Sequence, residues 1–295
     1  MLENIASIVL FGLFLAFVYS LQTISFNLVV GMLRILNLAH AELIVFGTYI
    51  AYWSWVLFNL DPFMSLPLSA IMGLAAGFAL YYLLIKKLVF STDAALIATF
   101  ALSLVLSELM KVLWTANYRG ISWTLGSIRI SSITIPVTYI CSTLGSIVTI
   151  LLIYFIMYKT YFGKACRAVA IDPTASAICG VNVKKTLLYG FVFSSCLAFI
   201  SGNLLVVYAP TGINPYMGST IIARCLVIAT LGGLGNPWGA LIGGLIIGMI
   251  EQIMPIVLMA IVPGIEPFSF TPFIYFMAYL LILLIKPEGI LGGRR

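Results

Sequence analysis

Residues 231–251 read LGGLGNPWGALIGGLIIGMIE, an apolar run that glycines and one Asn-Pro pair interrupt. Gly235, Gly239 and Gly243 recur every four residues, a spacing that lets two helix backbones approach closely in a membrane. Pro237 lacks the amide hydrogen that a helix interior requires, so we predict a helix break just before it. Non-helical backbone at membrane depth is tolerated only inside protein or beside a cavity. The stretch therefore indicates tight helix packing, with a solute path beside the break as an additional hypothesis.

The rest of the chain has the composition of a membrane protein. Of its 295 residues, 62% are apolar and only 8% are charged, against about 25% charged residues in soluble domains. Roughly 20 apolar residues cross a hydrocarbon core, and the seventh run is short, so eight or nine crossings are possible. We expect an all-α polytopic fold, with one short or broken helix, in a single domain over residues 1–295. The apolar runs lie at 5–30, 38–58, 66–85, 94–115, 137–158, 186–209, 218–232, 237–259 and 270–285.

Lysine and arginine are unevenly distributed over the connections between these runs. If the N-terminus is outside, the outer connections contain only Arg119 and Arg129, and the inner ones contain eleven basic residues. The positive-inside rule then predicts an external N-terminus and a cytoplasmic C-terminus. Topology accounts for the net charge of +6 without a nucleic-acid partner. The eleven are Arg34, Lys86, Lys87, Lys159, Lys164, Arg167, Lys184, Lys185, Lys286, Arg294 and Arg295.

Few residues could support catalysis or metal binding. The chain has one histidine, and its five cysteines form no C-x-x-C pair, so we expect no metal site, no catalytic residues and no cofactor in this chain. The cysteines are interpreted as small packing residues. Near the N-terminus, Glu3 and the lack of a basic region favour an uncleaved first span over a secretory signal.

The longest polar stretch, at about 159–185, contains a short helix with clear boundaries. Asp172 is a good N-cap, Pro173 fits the first helical position, and Gly180 suits a left-handed end. Small residues such as Ala175 between them let another surface approach the backbone. Two interpretations stay open: a docking surface for a cytoplasmic partner, or an amphipathic helix lying in the lipid interface. At the other side, residues 116–136 form either an interfacial loop or a contact surface for an external partner.

Polar residues inside the apolar runs are candidates for a translocation path or for helix packing, because ionisable groups are costly in a bilayer. Glu108 and Lys111 are three residues apart and are predicted to neutralise each other. Asn37 and His40 are predicted to share a helix face, from which Glu42 points away.

A second polar stripe lies in the first span, where Tyr19, Gln22 and Phe26 share a face with Asn27 alongside. Path lining and helix-to-helix hydrogen bonding are equally compatible with this stripe. In the eighth run, Gly244, Gly248 and Glu251 share a face, which places a carboxylate beside a tight helix contact. The complete set of path or packing candidates is Gln22, Asn27, Asn37, His40, Glu42, Asn214, Pro215, Arg224, Gly232, Gly233, Gly235, Gly239, Gly243 and Glu251.

Four stretches, distributed over nearly the whole chain, resemble the permease family of ATP-binding-cassette (ABC) importers of branched-chain amino acids, including its amide and urea relatives. They are NLAHAE at 37–42, GKACRAVAID at 163–172 running to GVN at 180–182, INPYMG at 213–218 continuing through LGGLG at 231–235 to Gly248, and KPEGILG at 286–292. Ala41 departs from the family, which usually has glycine after the histidine. This departure implies a slightly looser packing or a straighter helix there.

The resemblance implies an inner-membrane permease subunit that pairs with a second, related permease. Two cytoplasmic ATPase subunits, which hold ATP and Mg²⁺, would drive it, and an external solute-binding protein would deliver the cargo. The family's inner-loop helix docks on the ATPase, and this role maps onto about Gly163 to Asn182. The residues concerned are Gly163, Arg167, Asp172, Pro173, Ala175, Gly180 and Asn182.

Other functions have less support in the sequence. The chain contains no G-x-x-x-x-G-K-[ST] motif, as expected if ATP is hydrolysed on other subunits. An ion-coupled secondary transporter would need charges at mid-membrane, for which Arg224 and Glu251 are the convincing candidates. An intramembrane enzyme would lack a G-x-S-x-G nucleophile. The substrate stays open between branched-chain or other small hydrophobic amino acids, short amides and urea.

Overall fold

The fold is a bundle of membrane-length helices. The computed structural model describes residues 2–88, 91–130, 133–261, 267–286 and 289–291. In these ranges seven helical stretches are long and apolar enough to cross a bilayer, and two further apolar helices are shorter. In chain order the helices are α1 (Leu2–Leu33), α2 (His40–Phe58), α3 (Leu66–Leu80), α4 (Lys86–Leu88), α5 (Thr92–Trp114), α6 (Val137–Lys159), α7 (Tyr161–Ile171), α8 (Pro173–Ile178), α9 (Val183–Tyr208), α10 (Met217–Gly232), α11 (Pro237–Ile261) and α12 (Pro267–Ile285).

Each of the nine predicted apolar runs corresponds to a helical stretch, which confirms the polytopic helical architecture. The third run is composite, since α3 continues through the π-helical turn Tyr81–Ile85 into α4. The short seventh run is α10, whose 16 residues span about 24 Å at 1.5 Å per residue. Of the predicted inner residues, Arg294 and Arg295 lie outside the described part of the chain, as do Pro287, Glu288 and Gly292 of the C-terminal motif.

The all-α prediction omitted four short strands. β1 (Arg119–Gly120) pairs antiparallel with β4 (Thr211–Ile213), and β2 (Ser127–Ile130) pairs antiparallel with β3 (Ile133–Pro136). Part of the segment at 116–136 therefore forms β-strands. Backbone amides outside a helix still need hydrogen-bond partners near a membrane, and strand pairing supplies them. Since α6 joins β3 to α7, the strands and α7 lie at opposite ends of the bundle.

Helix α9 forms the centre of the bundle, and small residues allow its neighbours to approach. Of the apolar window of α9, 83% is buried inside the protein, against 11% for α5 at the periphery. A Cβ on Gly73 of α3 would lie only 2.8 Å from the Cα of Cys196, and Gly47 of α2 abuts the backbone of Phe199. The Asn203 amide also donates to Ser65 Oγ (2.7 Å) and Ser69 Oγ (2.9 Å), which ties α9 to the start of α3.

The glycines of α11 form two contact faces, as the four-residue spacing predicted. Gly239 and Gly243 abut the backbone of α10 at Gly232 and Ile228. Gly244 and Gly248 abut α1, at Ser20 and Ala16, and a Cβ on Gly248 would lie 2.5 Å from the Cα of Ala16. Helix α11 therefore packs closely against both α1 and α10.

Helix α2 begins inside the bundle. The Nε2 atom of His40 lies 2.9 Å from the Oγ of Ser25, and Ser25 precedes the end of α1 by eight residues, or about 12 Å. Residues 34–39 therefore bring the chain back to the depth of Ser25 without forming a helix. Thr99 Oγ1 of α5 binds this segment, because it accepts from Leu38 N and donates to Leu36 O. The prediction that Asn37 and His40 share a helix face is therefore wrong. Asn37 precedes α2 and accepts the His40 amide in a turn (3.2 Å).

Candidate functional site

The predicted short helix of the polar stretch is preceded by a second helix, α7, which sequence reasoning missed. Thr160 caps α7 by accepting from Gly163 N (3.2 Å), and Gly163 fits because its Cα abuts the carbonyls that end α6. Arg167 donates to the Met157 carbonyl, and its guanidinium lies 4.6 Å from the centre of the Tyr158 ring. These contacts bind α7 firmly to the end of α6. We call α7 and α8 together the connector.

The boundaries of α8 are as predicted. Asp172 Oδ1 accepts from Thr174 N (2.7 Å) and Ala175 N (3.0 Å), and Pro173 is the first helical residue. Gly180 follows with φ +84°, a left-handed conformation that favours glycine. Asn182 then caps α9 through Lys185 N (3.1 Å). Because most of α8, including Ala175 and Ile178, is exposed, the connector offers a preformed surface at this end of the bundle.

A cavity of about 560 Å³ lies between the connector and the bundle. Its lining includes Asn27 and Gly31 of α1, Arg167 of α7, and Asn236. Arg34 spans one side by donating to the carbonyls of Ala170 (3.0 Å) and Ile171 (3.1 Å) at the end of α7. The connector therefore touches α1 directly and faces the break between α10 and α11 across this cavity, which we call the α7 cavity.

The predicted helix break is present between Gly232 and Pro237. Asn27 of α1 satisfies its backbone, since Asn27 Nδ2 donates to Asn236 O (3.2 Å) and Gly235 N donates to Asn27 Oδ1 (3.3 Å). Gly235, with φ +78°, lies directly against Gly31. Asn27 therefore serves packing at the break and also lines the α7 cavity. The other predicted glycines lie here as well: Gly232 meets Gly239, and Gly233 is the C-cap of α10.

Two of the predicted charges form an ion pair. Arg224 Nη2 of α10 lies 3.2 Å from Glu251 Oε1 of α11, and the two side chains are 14% and 21% exposed. Tyr19 of α1 donates to the same Glu251 oxygen (3.0 Å), and its ring centre lies 4.1 Å from the Arg224 guanidinium. The pair thus joins three helices. Spacing within one helix could not predict it, because 27 residues separate the two charges.

The remaining predicted polar residues of α1, α2 and the connection between them are buried with free hydrogen-bonding atoms. Among the described residues, Gln22 Nε2, Asn37 Oδ1, His40 Nδ1 and Glu42 Oε2 have no hydrogen-bond partner. The Glu42 carboxylate abuts Gly218 in the first turn of α10, where helix amide dipoles favour a negative charge. Buried polar atoms are normally paired with protein or ordered water. The four atoms therefore keep unused hydrogen-bonding capacity inside the bundle.

A second cavity, of about 400 Å³, lies beside β4, and we call it the β4 cavity. Asn214 lines it and Pro215 is buried in the same turn, in which Asn214 Oδ1 accepts from Tyr216 N (2.9 Å). Arg224 also lines this cavity, whereas Glu251 does not appear in its lining. The Glu108–Lys111 pair is present as predicted (2.8 Å) but is exposed. It meets Tyr216 near the start of α10.

The chain matches the family model described as the permease component of the branched-chain amino acid transport system, over residues 8–286. The chain belongs to this permease family. The permease is 30% identical over 266 residues to a protein of Methanocaldococcus jannaschii named probable branched-chain amino acid transport permease protein LivH, covering 87% of this chain and 82% of that one. It is 25% identical over 298 residues to the high-affinity branched-chain amino acid transport system permease protein LivH of Escherichia coli K12, covering 95% and 93%.

A third relative is the high-affinity branched-chain amino acid transport system permease protein BraD of Pseudomonas aeruginosa, 24% identical over 298 residues with 95% and 94% coverage. No solved structure matches the permease. The family and the apolar helices together establish a multi-pass inner-membrane protein that functions in transport. The family resemblance inferred from the motifs is confirmed.

Proposed function

We propose that this permease is the membrane subunit through which an ABC importer moves branched-chain or similarly small hydrophobic amino acids into the cell. The observation that carries the proposal is the connector: two capped helices, exposed at one end of a bundle that belongs to a transport-permease family. The relatives named above are transport permeases for branched-chain amino acids. The β4 cavity contributes apolar side chains from α9 and α10, including Leu205, Val206 and Ile221, beside polar ones such as Asn214 and Thr220.

The connector is the docking surface for an ATPase subunit in this proposal. Rigid docking needs a surface that holds its shape, and the caps at Thr160, Asp172 and Asn182 supply it. Through Arg34, a displacement of the connector reaches the end of α1, and the Asn27 side chain of α1 contacts the α10–α11 break. ATP and Mg²⁺ belong to the ATPase subunits, and this permease contributes the surface that they move.

The orientation in the membrane follows from charge. Basic residues of α4, α6 and α7 lie at the connector end of the bundle; they are Lys86, Lys87, Lys159, Lys164 and Arg167. Positively charged connections remain in the cytoplasm. We therefore place the connector in the cytoplasm and the strands outside. There β1 to β4 would meet the solute-binding protein, and a second permease would cover part of the exposed bundle.

Reconstitution tests this function. The permease is co-purified with a second permease and two ATPases, which are sought among the products of its neighbouring genes, and is placed in proteoliposomes with a loaded binding protein. We expect ATP-dependent uptake of radiolabelled leucine, and none with an ATPase variant that cannot hydrolyse ATP. Uptake of urea or acetamide without leucine would refute the proposed substrate class, and leucine uptake without the ATPases would refute the proposed mechanism.

A further inference from the structure

The β4 cavity is lined by apolar side chains, by uncharged polar side chains such as Thr48, Asn214 and Thr220, and by a cation. Its aliphatic surface comes from Leu205, Val206, Met217 and Ile221. Among the lining residues that the structure describes, Arg224 is the charged one. A guanidinium is strongly disfavoured in a bilayer unless a partner or a function compensates. Here Glu251 accepts from Arg224 Nη2, and Tyr275 of α12 also interacts with the guanidinium, but Arg224 Nε keeps unused hydrogen-bonding capacity.

Each member of the Arg224–Glu251 pair has a hydrogen-bonding atom that the pair does not use. Arg224 Nε and Glu251 Oε2 are buried without a hydrogen-bond partner among the described residues. The Tyr19 ring lies against the face of the guanidinium, and the Tyr19 hydroxyl donates to Glu251 Oε1. Tyr19 therefore holds the pair in place without accepting a hydrogen bond from Arg224 Nε. A buried charged donor left unpaired is costly. An anionic group in the cavity would meet the part of the Arg224 side chain that lines it.

We propose that Arg224 binds the carboxylate of the transported solute, with the aliphatic side chain of the solute against the α9 and α10 wall. This inference rests on the proposed function and specifies its substrate as a carboxylate-bearing solute. Guanidinium binds carboxylate strongly because its planar donors match the two oxygens. Urea and simple amides carry no such group and would gain nothing from a cation in the cavity. Glu251 is a positioning residue that orients Arg224. Its negative charge also weakens the attraction of Arg224 for the solute carboxylate, so that the solute can be released.

The test separates the carboxylate from the rest of the solute. The intact complex in nanodiscs, without the binding protein, is probed by saturation-transfer NMR with two fragments of leucine: 4-methylpentanoate, which lacks the ammonium, and isoamylamine, which lacks the carboxylate. We expect a signal from the acid and little from the amine. Arg224→Gln should weaken acid binding by about tenfold or more, the loss expected for a charge-assisted hydrogen bond. Arg129→Gln, at an exposed arginine of β2 that does not line the cavity, is the matched control and should retain acid binding.

A second variant covers the case in which Arg224→Gln does not fold. Arg224→Met with Glu251→Leu removes both charges and leaves no unpaired ion, so it should assemble. If the pair is only structural, this double variant imports leucine normally, which would overturn the proposal. We expect its leucine uptake to fall at least about tenfold while the loaded binding protein still stimulates ATP hydrolysis.

The outcomes distinguish the two proposals. Equal acid binding by the wild type and by Arg224→Gln, or amine binding as strong as acid binding, would overturn the role of Arg224. A wild-type complex that binds the acid at Arg224 but imports no leucine would instead refute the proposed amino-acid substrate and leave the carboxylate site standing.

Discussion

The side chain of Asn27 in α1 pairs with two consecutive residues inside the break between α10 and α11. Its Nδ2 donates to Asn236 O (3.2 Å), and its Oδ1 accepts from Gly235 N (3.3 Å). The single amide thus pairs with two backbone groups of the segment that precedes Pro237, where the regular helical pattern is interrupted. The interruption is in this way an ordered junction between three helices, and it faces the same cavity as the connector.

Replacing Asn27 should destabilise this junction. Asn27→Leu keeps the approximate volume but removes the side-chain acceptor of Gly235 N and one of the two donors to Asn236 O, which keeps Ala240 N. We therefore expect a loss of about 1–3 kcal/mol. Thermal unfolding in detergent, followed by size-exclusion chromatography, measures it. Ser107→Ala is the control, since the Ser107 hydroxyl bonds only within its own helix, to Leu104 O. Equal melting temperatures for the two variants would show that Asn27 is dispensable at the break.

The close packing of α11 on α1 predicts different effects for two Gly→Ala changes. Both Gly248 and Gly145 are helical, so alanine gains about 1 kcal/mol of helix propensity at each. A Cβ on Gly248 would lie 2.5 Å from the Ala16 backbone, whereas a Cβ on Gly145 would meet the movable Leu204 Cδ2 at 2.8 Å. Overpacking costs about 1–3 kcal/mol. We expect Gly248→Ala to lower the melting temperature and Gly145→Ala to leave it unchanged or raise it.

The connector can be tested with a matched pair of tryptophan substitutions. Gly180 (φ +84°) and Gly126 (φ +78°) are both left-handed glycines with open space around an added Cβ, so Trp strains the backbone equally at both. They lie at opposite ends of the bundle. We expect Gly180→Trp to abolish ATPase co-purification and coupled uptake, with normal insertion, while Gly126→Trp retains the ATPases. Normal ATPase association of Gly180→Trp would refute docking on the connector.

Cysteine labelling tests the orientation and the packing of α7 together. Burial raises the pKa of the Cys166 thiol in α7 to about 12, so at pH 8 it is almost entirely protonated and poorly nucleophilic. Cys179, after α8, is exposed. With single-cysteine variants, we expect an impermeant maleimide to label Cys179 in inside-out vesicles and Cys166 in neither orientation until the protein is denatured. Labelling of Cys179 in right-side-out vesicles would reverse the proposed topology.

The Arg224–Glu251 pair should show the energetic signature of a buried ion pair. Removing one partner leaves an uncompensated charge, so Arg224→Met alone should destabilise the permease by about 3–5 kcal/mol. Adding Glu251→Leu should recover most of this loss. Chemical or thermal unfolding of the wild type, both single variants and the double variant gives the coupling. If the losses of unfolding free energy in the two single variants add up to the loss in the double variant, the two side chains do not interact.

By itself, the sequence determined membrane residence, the nine apolar segments, the caps of α8 and the break before Pro237. Each depends on local properties: the length of an apolar run, a capping side chain next to its helix, or the missing amide of proline. Tertiary structure decided which side chains meet. Tyr19 and Glu251 are 232 residues apart in the chain, and His40 contacts Ser25 because α2 begins within the bundle. Such contacts depend on how helices pack at a given depth, and periodicity within one helix carries no information about the neighbour that it will face.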